Sequence, residues 1–118
     1  DQYRELVLSL PEQTLQLFSR GKDREAVLGE AARAQLALAA RLRANRLPEL
    51  RPGARGLNEA HAWLQQVVCD VDPALRTREE GEARLEEWSV RKVMRRSIWD
   101  LRYRTAVLRS GVSGLWTV

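Results

Sequence analysis

Along most of the chain, apolar residues recur at spacings of three and four, the period of a helix with one buried face. Tyr3, Leu6, Val7 and Leu10 set the first such stripe. Ser9-Leu10-Pro11-Glu12 has the form of a capping box with an early proline, so a second helix is expected to begin there. That helix carries Leu15, Leu17 and Phe18 inward and ends at Gly21, a residue suited to the left-handed conformation after a helix. Asp23 is placed to cap a long alanine-rich helix reaching about Asn45, with Val27, Ala31, Ala34, Leu38 and Leu42 on one stripe. Small residues on that stripe let a second helix approach closely.

Residues 46–56 hold two prolines, two glycines and three arginines, which breaks both regular periods and predicts a loop. Asn58 can cap the helix beyond it, whose apolar set is Ala60, Trp63, Leu64, Val67, Val68 and Val71. The β-branched residues of Val67–Val71 admit a strand, but their helical spacing favours a helix. Asp72-Pro73 reads as a further cap with proline at the first helical position. Thr77-Arg78-Glu79-Glu80 is another capping box, opening a last helix with no strong stop before Ser110-Gly111. Pairs Glu80–Arg84, Glu87–Arg91 and Asp100–Arg104 would support it at i,i+4. Unbroken from 78 to 110, that helix would be roughly 50 Å long. This exceeds the width of a domain of this size, so it either breaks near Ser89 or projects and packs on a second copy. Residues 111–118 form an apolar tail, expected to be extended. The fold expected is all-α: residues 1–118 as a single-domain helical bundle of five or six helices with a long C-terminal helix.

Composition narrows the chemistry. With 118 residues and 44% hydrophobic content, one ordinary core can form without disulfides. The longest apolar run, Leu36 to Ala40, is far too short to span a membrane. The chain opens on Asp1 rather than methionine, which points to processing or to a longer parent; a cytoplasmic setting is the default expectation. One cysteine and one histidine exclude cysteine-based zinc sites and most histidine-based catalysis. Cys69 reads as a small buried hydrophobe and His61, eight residues earlier, as a surface or capping residue. Glu79, Glu82 and Glu86 share a helical face, but helical di-metal sites need Glu-x-x-His pairs, so neither metal nor cofactor is expected. Phosphate-cradling glycine loops and serine nucleophile motifs are absent from the sequence.

Charge adds a direction. The net charge is +4, and 18 of the 20 basic residues are arginine. Two basic blocks, 31–55 and 88–118, alternate with acidic ones. In the last helix, Arg91, Arg95, Arg102 and Arg109 fall within about 40° of one another at 100° per residue. Trp88, Lys92, Trp99 and Tyr103 adjoin them, while Val90, Val93, Met94, Ser97, Ile98, Leu101, Thr105 and Leu108 point the other way, toward the core. Leu64 and Val68 are expected in that core as well. An arginine-plus-aromatic face suits protein contacts, where Trp and Arg concentrate binding energy. It also suits nucleic acid, where arginine holds phosphates and aromatic rings stack on bases.

The expectation is therefore a non-catalytic interaction module that self-associates or docks on a protein partner through Trp88, Arg91, Arg95, Trp99, Arg102, Tyr103, Arg109 and the tail residue Trp116. A nucleic-acid binder using the same arginines with Trp99 and Tyr103 is the alternative. A lesser alternative is a helical enzyme with an arginine-lined anion pocket, to which Arg33 would contribute. Arg46, Arg51 and Arg55 form a possible anion-binding loop.

Overall fold

The computed structural model describes residues 2–42, 48–78 and 87–116, without the side chains of 78 and 114–116. Its elements are α1 (Gln2–Ser9), α2 (Glu12–Phe18), α3 (Arg24–Arg41), α4 (Gly53–Asp70), β1 (Arg76–Arg78), β2 (Glu87–Ser89) and α5 (Val90–Trp116). The all-α expectation holds. Among the described residues the only strands are β1 and β2, an antiparallel ribbon pairing Arg76 with Ser89, Thr77 with Trp88 and Arg78 with Glu87.

Two clusters make up the core, and α3 contributes to both. Tyr3, Val7, Leu15, Val27, Leu28, Ala31, Ala32, Leu57, Ala60 and Leu108 form the first. Ala39, Leu42, Leu64, Trp88 and Val93 form the second. Where α3 meets α4, the buried surface includes Ala31, Ala32 and Ala39 on one side and Gly56 and Ala60 on the other. Buried among them is Gln35, wholly shielded from solvent. The Ser97 hydroxyl donates to its Oε1 at 2.6 Å, and His61 Nδ1 of α4 lies 3.5 Å from the same oxygen. One amide thus joins three helices.

Several local expectations hold. The Asp23 carboxylate accepts from the Ala26 N–H at 2.8 Å and caps α3. Gly21 adopts φ +78° just beyond α2. Residues 67–70 are helical, as their spacing implied.

Others are corrected. Ser9 does not cap α2; its hydroxyl donates back to the Leu6 carbonyl at 2.8 Å, and Pro11 holds the cap position with no side-chain bond. Leu17 is 70% exposed, because α2 has only seven residues and buries the side that carries Leu15 and Phe18. The loop expected over 46–56 ends early: α4 begins at Gly53 rather than near Asn58. Gly53 takes φ +71°, open to glycine at no steric cost, and Gly56 packs so tightly that a Cβ there would lie 1.9 Å from the Arg51 carbonyl oxygen. Residues read as loop breakers are therefore the start of a helix. Cys69 is exposed, not buried, since it stands half a turn round α4 from Ala60.

The largest correction concerns residues 72–90. Asp72 forms a turn, accepting from the Ala74 N–H at 2.9 Å, and no helix follows it. Thr77 opens no helix either. Its buried hydroxyl donates to the Arg41 carbonyl and closes the C-terminal end of α3. The last helix starts at Val90, after the break expected near Ser89, whose hydroxyl accepts from the Lys92 N–H at 3.2 Å. Glu87 sits in β2 and pairs with Arg76 at 3.7 Å instead of with Arg91. Glu80–Arg84 lies outside the described residues.

At 27 residues, α5 is about 40 Å long. It continues through Gly111 to Trp116, so Gly111 is no stop and residues 111–116 are not extended. A Cβ at 111 would come within 2.7 Å of Phe18 Cδ1, so this glycine admits an aromatic ring of α2. The side of α5 facing the core is narrower than expected. Val93, Ser97, Thr105 and Leu108 are buried and Leu101 half-buried, whereas Met94 and Ile98 are 48% and 51% exposed. The buried arc includes half-buried Asp100 and Arg104 at one edge, which leaves Ile98 beyond the other, while Met94 lies on the arc but one turn from the start of the helix, where less packs against it.

Core truncation reads this orientation directly. Leu108→Ala is expected to cost about 2–5 kcal/mol through the cavity it leaves, and Ile98→Ala under about 0.5 kcal/mol. Chemical denaturation of the two variants checks it; equal losses would place the wrong face of α5 inward.

Candidate functional site

The open face of α5 is built by default. The helix is long, one arc of it is held by α1, α2, α3 and β2, and the opposite arc is exposed. On that arc stand Arg91, Arg95, Arg102 and Arg109, all exposed and, among the described residues, without an ion-pair partner. They trace a line about 27 Å long at the helical rise. Arg104 is excluded from that line: it bonds Asp100 at 2.8 Å on the half-buried side. Burial is the largest influence and works against its charge, but the bond to Asp100 and the charges of Asp100, Tyr3 and Glu30 together outweigh it and hold the guanidinium above its ordinary value. Burial also pushes the Tyr3 phenol of α1 up, with Arg104 opposing it.

Beside the arginine line, Trp99 and Tyr103 stack with ring centroids 5.1 Å apart and planes 9° from parallel. Each is 55% exposed. Val107, one turn further, is 52% exposed and continues the row. Two hollows adjoin the aromatic pair. One, of about 260 Å³, is lined by Ala34, Leu38 and Arg41 of α3 with Trp88, Arg96 and Trp99. The other, of about 210 Å³, is lined by Tyr3, Phe18 and Glu30 with Tyr103, Arg104 and Val107. On the far side of the arginines lie the exposed Met94 and Ile98. The composite is a basic ridge with an apolar flank on each side.

The structure brings Arg91, Arg95, Trp99, Arg102, Tyr103 and Arg109 onto one face, as the helical spacing required. It removes Trp88. That ring is 6% exposed in β2, with the Arg41 guanidinium 5.0 Å and the Lys92 ammonium 4.5 Å from its centroid. Such cation–π contacts fasten the ribbon between α3 and α5. The Trp116 side chain lies outside the described residues. The sequence reading missed Met94, Ile98 and Val107 as surface residues. For Met94 and Ile98 the signal was present in the width of the apolar sector of α5, while Val107 lies outside that sector, beside Tyr103.

Other candidates do not assemble. Arg46 lies outside the described residues. Arg51 pairs with Glu59 at 3.3 Å, and Arg51 and Arg55 line separate hollows that each also contain Asp23 and Glu25, so carboxylates share the space an anion would need. Arg33 is exposed. His61 contacts Gln65 Nε2 at 3.2 Å, in addition to Gln35. Glu79, Glu82 and Glu86 lie outside the described residues. Among the described residues no group of three His, Cys, Asp or Glu side chains is placed to hold a metal ion, and no helix is long and apolar enough to cross a membrane. Comparison with known proteins adds no relative: no family model, no curated protein and no solved structure matches the chain.

Because the ridge arginines are exposed and have no ion-pair partner among the described residues, reversing two of them should leave the fold intact. Arg95→Glu with Arg102→Glu is expected to change stability by less than about 0.5 kcal/mol per site and to preserve helicity. Circular dichroism through a thermal ramp checks this. Loss of the fold would instead make these arginines internal partners of the acidic segments.

Proposed function

We propose that this chain is a non-catalytic helical interaction module that docks a protein partner on the open face of α5. The observation that carries the reading is the Trp99–Tyr103 pair, two large rings half-exposed beside four arginines that have no ion-pair partner among the described residues. Exposed aromatic surface of this kind costs free energy in water and is recovered when a partner covers it. Trp, Tyr and Arg are also the residue types on which interface energy concentrates. The geometry favours binding over chemistry. A catalytic pocket needs groups from several elements converging on one point, whereas these arginines form a line on a single helix.

Nucleic acid is the second reading, and the same line of guanidinium groups favours it, since an extended phosphate backbone matches it in charge and length. Position-specific photocrosslinking separates the two. With a benzophenone amino acid at Tyr103, cells are expected to yield one discrete protein adduct. It should be lost when Arg95→Glu and Arg102→Glu are added, and absent when the probe sits at exposed Asp70 on α4. A nuclease-sensitive adduct, or equal labelling from both positions, would contradict the protein-docking reading.

A further inference from the structure

We infer that the partner segment seated on α5 is an acidic amphipathic helix, and not the α5 of a second copy of this chain. The inference rests on the docking reading above and names its ligand class. Charge complementarity is the first support. Between Val90 and Trp116 the helix carries Arg91, Lys92, Arg95, Arg96, Arg102, Arg104 and Arg109 against a single carboxylate, Asp100. Pairing α5 with α5 of another copy would set the exposed Arg91, Arg95, Arg102 and Arg109 against the same four residues. Like charges opposed across an interface are strongly unfavourable. A row of Asp and Glu at the spacings four, seven and seven would match the line instead.

The flanks supply the second support. Aliphatic side chains, Met94 and Ile98 on one side and Val107 on the other, border the arginines. A sugar–phosphate backbone laid on the ridge offers these residues no apolar surface, whereas an amphipathic helix carries apolar side chains beside its acidic ones. Trp99 and Tyr103 already use a ring face on each other, which reduces what is left for intercalated bases. The hollows of about 260 and 210 Å³ beside the pair are each of a size to take one large apolar side chain. In such a complex, carboxylates meet guanidinium groups along the ridge, and apolar side chains from the partner enter the hollows beside the aromatic pair.

The test uses a fluorescein-labelled helical peptide of 22 residues, with Glu at spacings of four, seven and seven and Leu beside them. It is titrated against the full chain by anisotropy, in parallel with a labelled 20-nucleotide oligo-dT. Peptide affinity is expected to fall at least about tenfold with Arg95→Glu plus Arg102→Glu, a loss of about 1.4 kcal/mol or more. A peptide in which each Glu is replaced by Lys should recover it on that variant. Trp99→Ala with Tyr103→Ala should weaken binding at least about fivefold with helicity unchanged. No peptide binding, together with a concentration-dependent dimer in sedimentation that Tyr103→Ala abolishes, would overturn the acidic-helix inference while leaving the docking face standing. Oligo-dT binding tighter than peptide binding, with a steep fall in salt, would overturn both.

Discussion

The approach of α3 to α4 through alanine and glycine sets the frame on which the rest of the molecule depends. At the start of α4 the chain turns so tightly that Gly56 has no room for even a methyl group beside the Arg51 carbonyl five residues earlier. A contact so tight is intolerant of volume change, since interiors are packed like solids. Into this frame the chain inserts one polar group, Gln35, whose carbonyl oxygen receives the Ser97 hydroxyl and lies beside His61. Its amide nitrogen has no hydrogen-bond partner among the described residues. A buried amide served on one end is costly if any partner moves, so the arrangement fixes the register of α5 against α3 and α4 more sharply than aliphatic packing would.

That register decides which residues of α5 remain outside. The helix is anchored at its start by Ser89 and by the ribbon, where Trp88 sits against Arg41 and Lys92, and near its end by Phe18 against Gly111. Ser97, Thr105 and Leu108 are drawn inward between those anchors, and the opposite arc, with its arginines and stacked aromatic pair, meets solvent. The binding face is therefore a consequence of how one long helix is held. Its rigidity comes from the core side, which spares a docking partner the entropy of ordering it.

How far this was legible in sequence follows from the range of each determinant. Helix periodicity is local, so α1, α3, α4 and the arginine line of α5 could be read from spacing alone, and Asp23 from its place before an apolar run. Thr77 could not. As a sequence, Thr-Arg-Glu-Glu opens a helix; in the fold the same hydroxyl reaches a carbonyl 36 residues away, and Thr77 and Arg78 pair as a strand. Pro52 and Gly53 looked like loop because proline and glycine break both regular periods, yet here they form the entry of α4, with Gly56 packed against the Arg51 carbonyl. Trp88 was placed on the wrong face by assuming helix before Ser89. The aromatic face survived that error because Trp99 and Tyr103 lie well inside the helix, where a shifted start changes nothing.

The central claim is that Trp99 stands open in the free protein while Trp88 does not. Fluorine NMR of the chain labelled with 5-fluorotryptophan, assigned by single Trp→Phe variants, measures this through the shift of each resonance between light and heavy water. Trp99 is expected to show a large solvent isotope shift and Trp88 almost none. A Trp99 resonance as insensitive as that of Trp88 would mean that the ring is covered in the isolated protein, and the open face of α5 would not exist.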